Sequence, residues 1–235
     1  MIEDECKISS DVARYLEDNY ALDETEILPD EYRYSCLPLC LLDAIFSIGV
    51  TYRSTQNAVT RYCDYLGIPK YREKGDKSEF HHSLIDMLAV YDELGSSARF
   101  AEEVVSNKQR TSSRGGILKA EAAKLCAEAL AKEGITTIAE FRDKMDPSID
   151  RAFMSVKGQS SGISLMYLKM LCGKDDEAKP DRHILRFLAR FIGHEPDTVE
   201  ALSLLNNVTE KLKIDYPSLT TREIDYLIWS EMARQ

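Results

Sequence analysis

The chain lacks the features that mark several large classes of proteins. No apolar run approaches the roughly 18 to 20 residues that a membrane-spanning helix needs. The N-terminal residues Met1–Glu5 are acidic and lack the basic-then-apolar order of a signal peptide. Sustained alternation of apolar and polar residues, which is typical of strands, is also missing. We therefore expect a cytoplasmic protein without a membrane partner, built almost entirely of helices.

Cysteine and histidine do not form a metal-binding pattern. The six cysteines are scattered, and the only close pair, Cys36 and Cys40, has no second pair to complete a zinc or iron–sulfur site. His81, His82 and His194 also lack acidic partners at the spacing of metal ligands. We expect buried free thiols, no metal site and no other cofactor.

Acidic residues outnumber basic ones, which argues against a general nucleic-acid binder. The formal net charge is -10 over 235 residues. The charge is unevenly spread, however: residues 1–35 carry 11 acids and 3 bases, whereas residues 151–190 carry 8 bases and 4 acids. The basic excess is either an ordinary solvated surface or a local nucleic-acid interface, and the acidic N-terminal segment is a candidate binding site for a basic partner.

Helical periodicity and capping residues predict a chain of helices joined by short loops. The expected helices cover Ser9 to about Tyr20, Leu37–Ile48, Ser54–Leu66, Ser78–Leu94, Ser97–Val105, Ile117–Lys132, Thr137–Met145, Asp181–Phe191, Thr198–Lys213 and Thr220–Ala233. The polar, basic segment 107–116 is expected to be an exposed loop. The sequence therefore predicts an all-α protein.

The segment from Val156 to Arg186 is the most distinctive part of the chain. It reads V-K-G-Q-S-S-G before an apolar helix, and then K-P-D-R-H-I-L-R. Exposed backbone N–H groups at a helix N-terminus can hold a nucleic-acid phosphate. Asp181 follows Pro180 and begins the next helix, so its carboxylate is either a catalytic group or a helix cap.

Three segments in order resemble the helix-hairpin-helix DNA glycosylase superfamily, the endonuclease III-like base-excision enzymes. Leu37–Ala58 resembles the pocket helix and its following turn, with Ser47, Thr51 and Ser54 in matching places. Ser113–Cys126 resembles the K-A-E helix of that family. Val156–Arg186 resembles the hairpin and the helix of the catalytic aspartate, and Asp181, His183, Ile184 and Arg186 match a D-x-H-I-x-R pattern.

The resemblance implies an all-α fold of two helical lobes with a helix-hairpin-helix motif and a cleft between the lobes. One lobe would consist of residues 1–36 plus 187–235. The central lobe, residues 37–186, would carry the hairpin 156–164 and the start of the Asp181 helix. The implied partner is double-stranded DNA.

The chain also departs from the family pattern. Ser160 replaces the second glycine of a usual Leu-Pro-Gly-Val-Gly hairpin, and Gly162 stands where bifunctional members carry a catalytic lysine. Gly49 stands where relatives often carry a glutamine, and no cysteine follows Cys172 to form a C-terminal cluster. The resemblance therefore implies hydrolysis without a Schiff-base lyase step.

The chemistry assigns roles to particular side chains. Breaking an N-glycosidic bond develops positive charge on the sugar, and Asp181 is the candidate carboxylate that stabilises this charge and orients water. The candidate DNA-binding residues are Lys157, Gly158, Gln159, Ser160, Ser161, Gly162, Arg182 and Arg186, with Arg53, Arg110 and Arg114 as further phosphate contacts. A flipped base needs a pocket, for which the candidates are Phe46, Ser47, Tyr52 and Tyr167; core packing is the alternative role of each aromatic ring.

Three functional hypotheses remain open at this point. The chain is a monofunctional DNA glycosylase acting on a damaged or mismatched base, a non-catalytic DNA-binding module of the same fold, or an interaction protein. His183 either positions the Asp181 helix or a phosphate, or packs beneath the helix.

Overall fold

The computed structural model describes residues 2–23, 27–76, 78–144 and 146–234, with backbone alone for residues 2–5. Within these ranges the ordered elements are α-helices, a 3-10 turn at Asp30–Arg33 and a π turn at Phe100–Val104. Strands are absent from the same ranges, and only two isolated bridges pair Tyr34 with Tyr71 and Arg110 with Leu118. The predicted all-α class is confirmed.

Twelve α-helices occur in the described ranges. They are α1 Ile2–Asn19, α2 Leu37–Phe46, α3 Tyr52–Leu66, α4 Leu84–Leu94, α5 Ser97–Arg99, α6 Lys119–Lys132, α7 Ile138–Asp143, α8 Pro147–Met154, α9 Ile163–Leu171, α10 Arg182–Ile192, α11 Thr198–Leu212 and α12 Thr221–Met232. Among the described residues, no helix is long and apolar enough to cross a membrane.

The chain divides into two compact units. The terminal unit consists of Met1–Pro29 and Lys174–Gln235, and the central unit of Asp30–Gly173. The helix that Asp181 begins therefore belongs to the terminal unit, and the hairpin segment belongs to the central unit.

The terminal unit packs α1, α10, α11 and α12 around one apolar core. Helix α10 is strongly amphipathic, and its Ile184, Phe187 and Leu188 side chains are buried. The ring of Tyr15 meets Phe187 edge-on, with centroids 5.5 Å apart. Each large apolar side chain that is fully buried contributes roughly 1.5–3 kcal/mol. This packing anchors the helix that begins after Asp181.

Helix α2 is the centre of the central unit. All ten of its residues are buried, and it contacts α3, α4, α6 and α9. Pro38 lies in the first turn, where a helix needs no amide donor. A helix that is apolar all round is stable only when other elements cover it on every side.

The buried Lys119 of α6 closes the C-terminal end of α2. Its Nζ donates to the carbonyl oxygens of Phe46 at 2.8 Å and Ile48 at 2.7 Å. The last carbonyls of a helix have no intrahelical donor and carry partial negative charge. Lys119 therefore satisfies the carbonyl of the last residue of α2 and a second carbonyl just beyond the helix.

Candidate active site and nucleic-acid interface

Asp181 is the N-cap of α10, and the cap uses one of its two carboxylate oxygens. Oδ1 accepts hydrogen bonds from the backbone amides of His183 at 2.8 Å and Ile184 at 3.4 Å. The residue is partly exposed, and within the described ranges Oδ2 accepts no hydrogen bond. The carboxylate therefore caps its helix and still has an oxygen available to a ligand.

The first turns of α12 hold the segment that precedes α10. The guanidinium of Arg222 forms an ion pair with Asp175, with Nε and Oδ1 2.7 Å apart. One turn later, Oδ1 of Asp225 accepts the backbone amide of Lys179 at 2.8 Å. The amide of Asp181 in turn donates to the carbonyl of Lys179 at 2.6 Å. The backbone position of Asp181 thus depends on side chains of α12.

Asp225 is a buried carboxyl group in this neighbourhood. Its exposed fraction is 4%. The pKa of Asp225 is raised to about 8, mainly by burial; the hydrogen bond from the Lys179 amide lowers this pKa, the charge of Asp181 raises it, and the charge of Lys179 lowers it. The Asp225 carboxyl is therefore protonated and neutral at pH 7.

The other predicted residues of this region lie on the same helix. Arg182 and Arg186 are exposed and His183 is partly buried. Arg182 and Arg186 are four residues apart and share a face of α10. The Nε of Arg182 donates to Nε2 of His183 at 3.4 Å. The exposed face at the start of α10 is therefore basic.

The turn between α8 and α9 has glycine where the backbone requires it. Gly158 has a φ of +91° and Gly162, the N-cap of α9, has a φ of +74°. Ser160, which replaces a family glycine, is not among the positive-φ residues. The left-handed region, which glycine enters without steric cost, is thus needed on either side of Ser160 and not at it.

The N-terminus of α9 is uncapped, and its Gly162 and Ser164 are buried. No side chain caps it and no acidic residue lies in its first turn. Lys157, Ser160 and Ser161 are exposed. Gln159 is fully buried, and its Oε1 accepts a hydrogen bond from the hydroxyl of Ser164. The predicted contact residues therefore include three exposed side chains and one amide that stabilises the turn from inside.

The basic segment 107–116 packs against this turn. A Cβ atom at Gly158 would lie 2.6 Å from both Cβ and Oγ1 of Thr111. Arg110 and Arg114 of the same segment are exposed, and Nη1 of Arg110 donates to the carbonyl of Gly116 at 2.8 Å. We refer to the exposed side chains of Lys157, Ser160, Ser161, Arg110 and Arg114 as the basic turn surface.

Tyr167, one of the predicted pocket residues, contacts a carboxylate that the sequence analysis did not single out. Asp43 of α2 is fully buried, and its Oδ2 accepts hydrogen bonds from the hydroxyls of Tyr34 at 2.8 Å and Tyr167 at 3.5 Å. Burial, followed by the charge of Asp43, raises the pKa of both hydroxyls above the usual range of tyrosine. Both therefore remain protonated donors at neutral pH.

The hydrogen-bond network continues from this carboxylate to partly exposed residues. Nε2 of Gln56 donates to the hydroxyls of Tyr34 at 2.9 Å and Tyr52 at 2.6 Å. Oε1 of Gln56 accepts from Nζ of Lys70 at 2.5 Å. We refer to Tyr34, Asp43, Tyr52, Gln56 and Tyr167 as the tyrosine cluster.

Phe46 and Ser47 lie at the end of α2. Phe46 is fully buried and its carbonyl accepts from Lys119. Ser47 is partly buried, and its hydroxyl donates to the carbonyl of Ala44 at 3.2 Å. The structure joins Tyr52 and Tyr167 through the tyrosine cluster, and it gives Phe46 and Ser47 contacts within the end of α2.

The sequence of this protein matches the model of one family over nearly its whole length. Residues 11–233 match a family described as a domain of unknown function, DUF8548, and the chain belongs to this family. No curated protein and no solved structure matches the chain.

Proposed function

We propose that this member of the DUF8548 family is a monofunctional DNA glycosylase. It hydrolyses the N-glycosidic bond of a damaged or mismatched base in double-stranded DNA, with Asp181 as the catalytic carboxylate. The observation that carries the proposal is the available Oδ2 of Asp181 on a carboxylate that its helix fixes in place.

The chemistry explains why such a carboxylate suits base release. As the glycosidic bond breaks, the sugar becomes oxocarbenium-like and positively charged. A preorganised negative group lowers the barrier without reorganising at the moment of reaction. Oδ2 supplies the charge and can orient a water molecule. The two hydrogen bonds that Oδ1 accepts from backbone amides hold the carboxylate in place.

The residue at the start of α9 supports hydrolysis without a lyase step. Gly162 has no side chain and occupies the N-cap, so this position offers no amine that can form a Schiff base with the sugar. We expect borohydride to trap no covalent protein–DNA adduct. A trapped adduct would show that another amine, such as Lys157, acts as a nucleophile.

The basic turn surface is the proposed contact with the DNA backbone. The amides at the uncapped N-terminus of α9 are the proposed phosphate contact, and the exposed Lys157 adds a positive charge in the preceding turn. Arg110 and Arg114 extend the same surface because Thr111 packs against Gly158. Charge reversal at Arg114 is expected to weaken duplex binding and to reduce its salt dependence.

The tyrosine cluster is the proposed source of base recognition. Tyr52 and Gln56 are its partly buried members, and an aromatic face beside an amide can stack on a flipped base and bond to its edge. Tyr34 and Tyr167 lie deeper and fix the position of Asp43.

A non-catalytic DNA-binding module is the second candidate. The specific observation in its favour is that Asp181 is already a complete helix cap, and Asn caps a helix about as well as Asp. In that case Asp181→Asn would leave base release and the melting temperature unchanged.

Single-turnover base release tests the two candidates against each other. Duplexes carry uracil, alkylated purines, oxidised guanine or a mismatch, and release is measured for the natural protein and for Asp181→Asn. Loss of one preorganised charge should slow release by roughly a hundredfold or more. Duplex affinity should stay equal or rise because a negative charge has been removed.

Asp197 provides a matched control. It caps α11 in the same way: its Oδ1 accepts hydrogen bonds from the backbone amides of Val199 at 2.8 Å and Glu200 at 2.9 Å. Asp197→Asn should leave both release and melting temperature unchanged. If Asp181→Asn also leaves release unchanged, or if duplexes bind but no base is released, the binding-module hypothesis replaces the glycosylase proposal.

A further inference from the structure

We propose that Asp225 on α12 is a positioning residue for the Asp181 carboxylate, acting through the short segment that joins Lys179 to Asp181. This inference rests on the proposed function, because it concerns the carboxylate to which catalysis is assigned.

The geometry links the two acids through a single backbone turn. Oδ1 of Asp225 accepts the Lys179 amide at 2.8 Å, and the Lys179 carbonyl accepts the Asp181 amide at 2.6 Å. Pro180 between them restricts the backbone further, because its φ is fixed. A change at the Asp225 carboxyl therefore reaches Asp181 through the backbone of Lys179 and Pro180.

Burying the Asp225 carboxyl costs free energy of hydration, which only compensating contacts can offset. A carboxyl group with 4% exposure loses most of its hydration, and a buried polar group costs free energy unless it is hydrogen-bonded. Asparagine would accept the same Lys179 amide with no ionisable group. The hydrogen bond to Lys179 and the packing of α12 therefore do not by themselves require an ionisable side chain at position 225.

The charged groups that act on Asp225 are few and close. Lys179 and Asp181 face it from the segment before α10, with opposite charges. On α12 itself, Arg222 is paired with Asp175. When the Asp225 carboxyl releases its proton, a second negative charge appears near Asp181 in a poorly hydrated site, and the two carboxylates repel each other.

This coupling makes the position of Asp181 sensitive to pH. While Asp225 is neutral, the segment is held in the geometry described above. Ionisation, which is expected near pH 8, strengthens Asp225 as an acceptor for the Lys179 amide and adds repulsion toward Asp181. Base release should therefore change on the alkaline side, although Asp225 itself touches no substrate.

Nuclear magnetic resonance on the full chain tests the coupling directly. The carboxyl carbon of Asp181 and the backbone amide of Lys179 are followed from pH 5 to pH 9.5 in the natural protein, Asp225→Asn and Asp197→Asn. We expect both resonances to show a step with one shared midpoint near pH 8. The step should be absent in Asp225→Asn and retained in Asp197→Asn. A step that survives in Asp225→Asn, or no step at all, overturns the inference.

Base release provides the functional readout. The natural protein should lose rate above about pH 8, whereas Asp225→Asn should lack this alkaline decline. Asp225→Leu removes the acceptor and should slow release about tenfold at pH 7, the cost of roughly 1.4 kcal/mol of lost positioning, with duplex affinity unchanged. Equal pH profiles for the natural protein and Asp225→Asn would refute the inference.

The two proposals fail in different ways. A natural protein that releases no base from any duplex refutes the glycosylase proposal, yet its resonances still report the coupling. Conversely, active protein without the shared titration step refutes the positioning role of Asp225 and leaves the role of Asp181 intact.

Discussion

The buried carboxyl of Asp225 is predicted to make a contribution to stability that declines as pH rises from about 4 to about 8. In the folded protein its pKa is raised to about 8 from the ordinary value of 3.8, mainly by burial. Between these two values the folded state binds a proton that the unfolded state has released. The contribution of Asp225 to stability therefore falls with rising pH in this window, because this group binds fewer protons in the unfolded state than in the native state.

The size of the effect follows from the separation of the two pKa values. Each pH unit in the window costs about 1.4 kcal/mol, so the full contribution is on the order of 4 to 6 kcal/mol. It is fully present below the unfolded pKa and is lost once the pH exceeds the folded pKa. Asp225→Asn removes the titration and keeps an acceptor for the Lys179 amide.

Denaturant unfolding at several pH values measures this contribution. Trp229, the only tryptophan of the chain, lies on α12 in the terminal unit, so its fluorescence reports the unfolding of that unit. The stability of the natural protein minus that of Asp225→Asn should fall by about 1.4 kcal/mol per pH unit from pH 5 to pH 8 and then level off. Parallel stability curves for the two proteins would refute the assignment of a buried, protonated Asp225.

Three further predictions concern the central unit. Lys119→Met should lower the free energy of unfolding by roughly 2–5 kcal/mol, because two carbonyls at and just beyond the end of α2 lose their donor. The control Lys124→Met, also on α6, should change it by less than about 0.5 kcal/mol in the same denaturant assay. Gly158→Ala should cost about 2–4 kcal/mol from the positive φ and the clash with Thr111; Gly75→Ala shares the positive φ without a neighbour within 4 Å, so an equal loss would contradict the clash. Tyr34→Phe should cost roughly 1–3 kcal/mol and more than Tyr167→Phe, since Tyr34 lies closer to Asp43; the reverse order in chemical denaturation would be inconsistent with this network.

Several helix ends were predictable because their cause is local. Gly67 follows α3 and Gly95 follows α4, with φ values of +65° and +74°, and glycine at this position ends helices through its left-handed conformation. Thr220 caps α12 with a capping box formed with Glu223. Such signals depend only on residues within a few positions of each other.

Other boundaries depend on contacts that the sequence does not show. The predicted start of α4 at Ser78 is wrong, and the helix begins at Leu84 after the Ser83 cap. Glu79 instead accepts the amides of Ile138 and Ala139, both at 2.7 Å, at the start of α7. A carboxylate sixty residues away can cap a helix only once the fold has brought them together.

Helix α8 was missed for a different reason. Its Asp146 cap and Pro147 at the first position are ordinary start signals, but the helix is short and adjoins the glycine-rich turn. The element order around the candidate interface is therefore clearer in the structure than in the sequence.

The chemistry of the sites was only partly accessible from the sequence. Asp181 was identifiable from its place after Pro180 and at a helix start. Asp43 and Asp225 were not, because each acquires its character from burial and from partners such as Tyr34, Tyr167 or Lys179 that are distant along the chain. A single aspartate in the apolar sequence L-L-D-A-I-F was the one available sign of Asp43.

The complete burial of α2 has a consequence for the newly synthesised chain. Before the central unit forms, Leu37–Phe46 is an apolar segment whose only charged residue is Asp43. Apolar segments of low net charge tend to self-associate as intermolecular β-structure. Proline and isolated charges interrupt such association. Pro38 and Asp43 are therefore expected to reduce aggregation of this segment before the helices that cover α2 have formed.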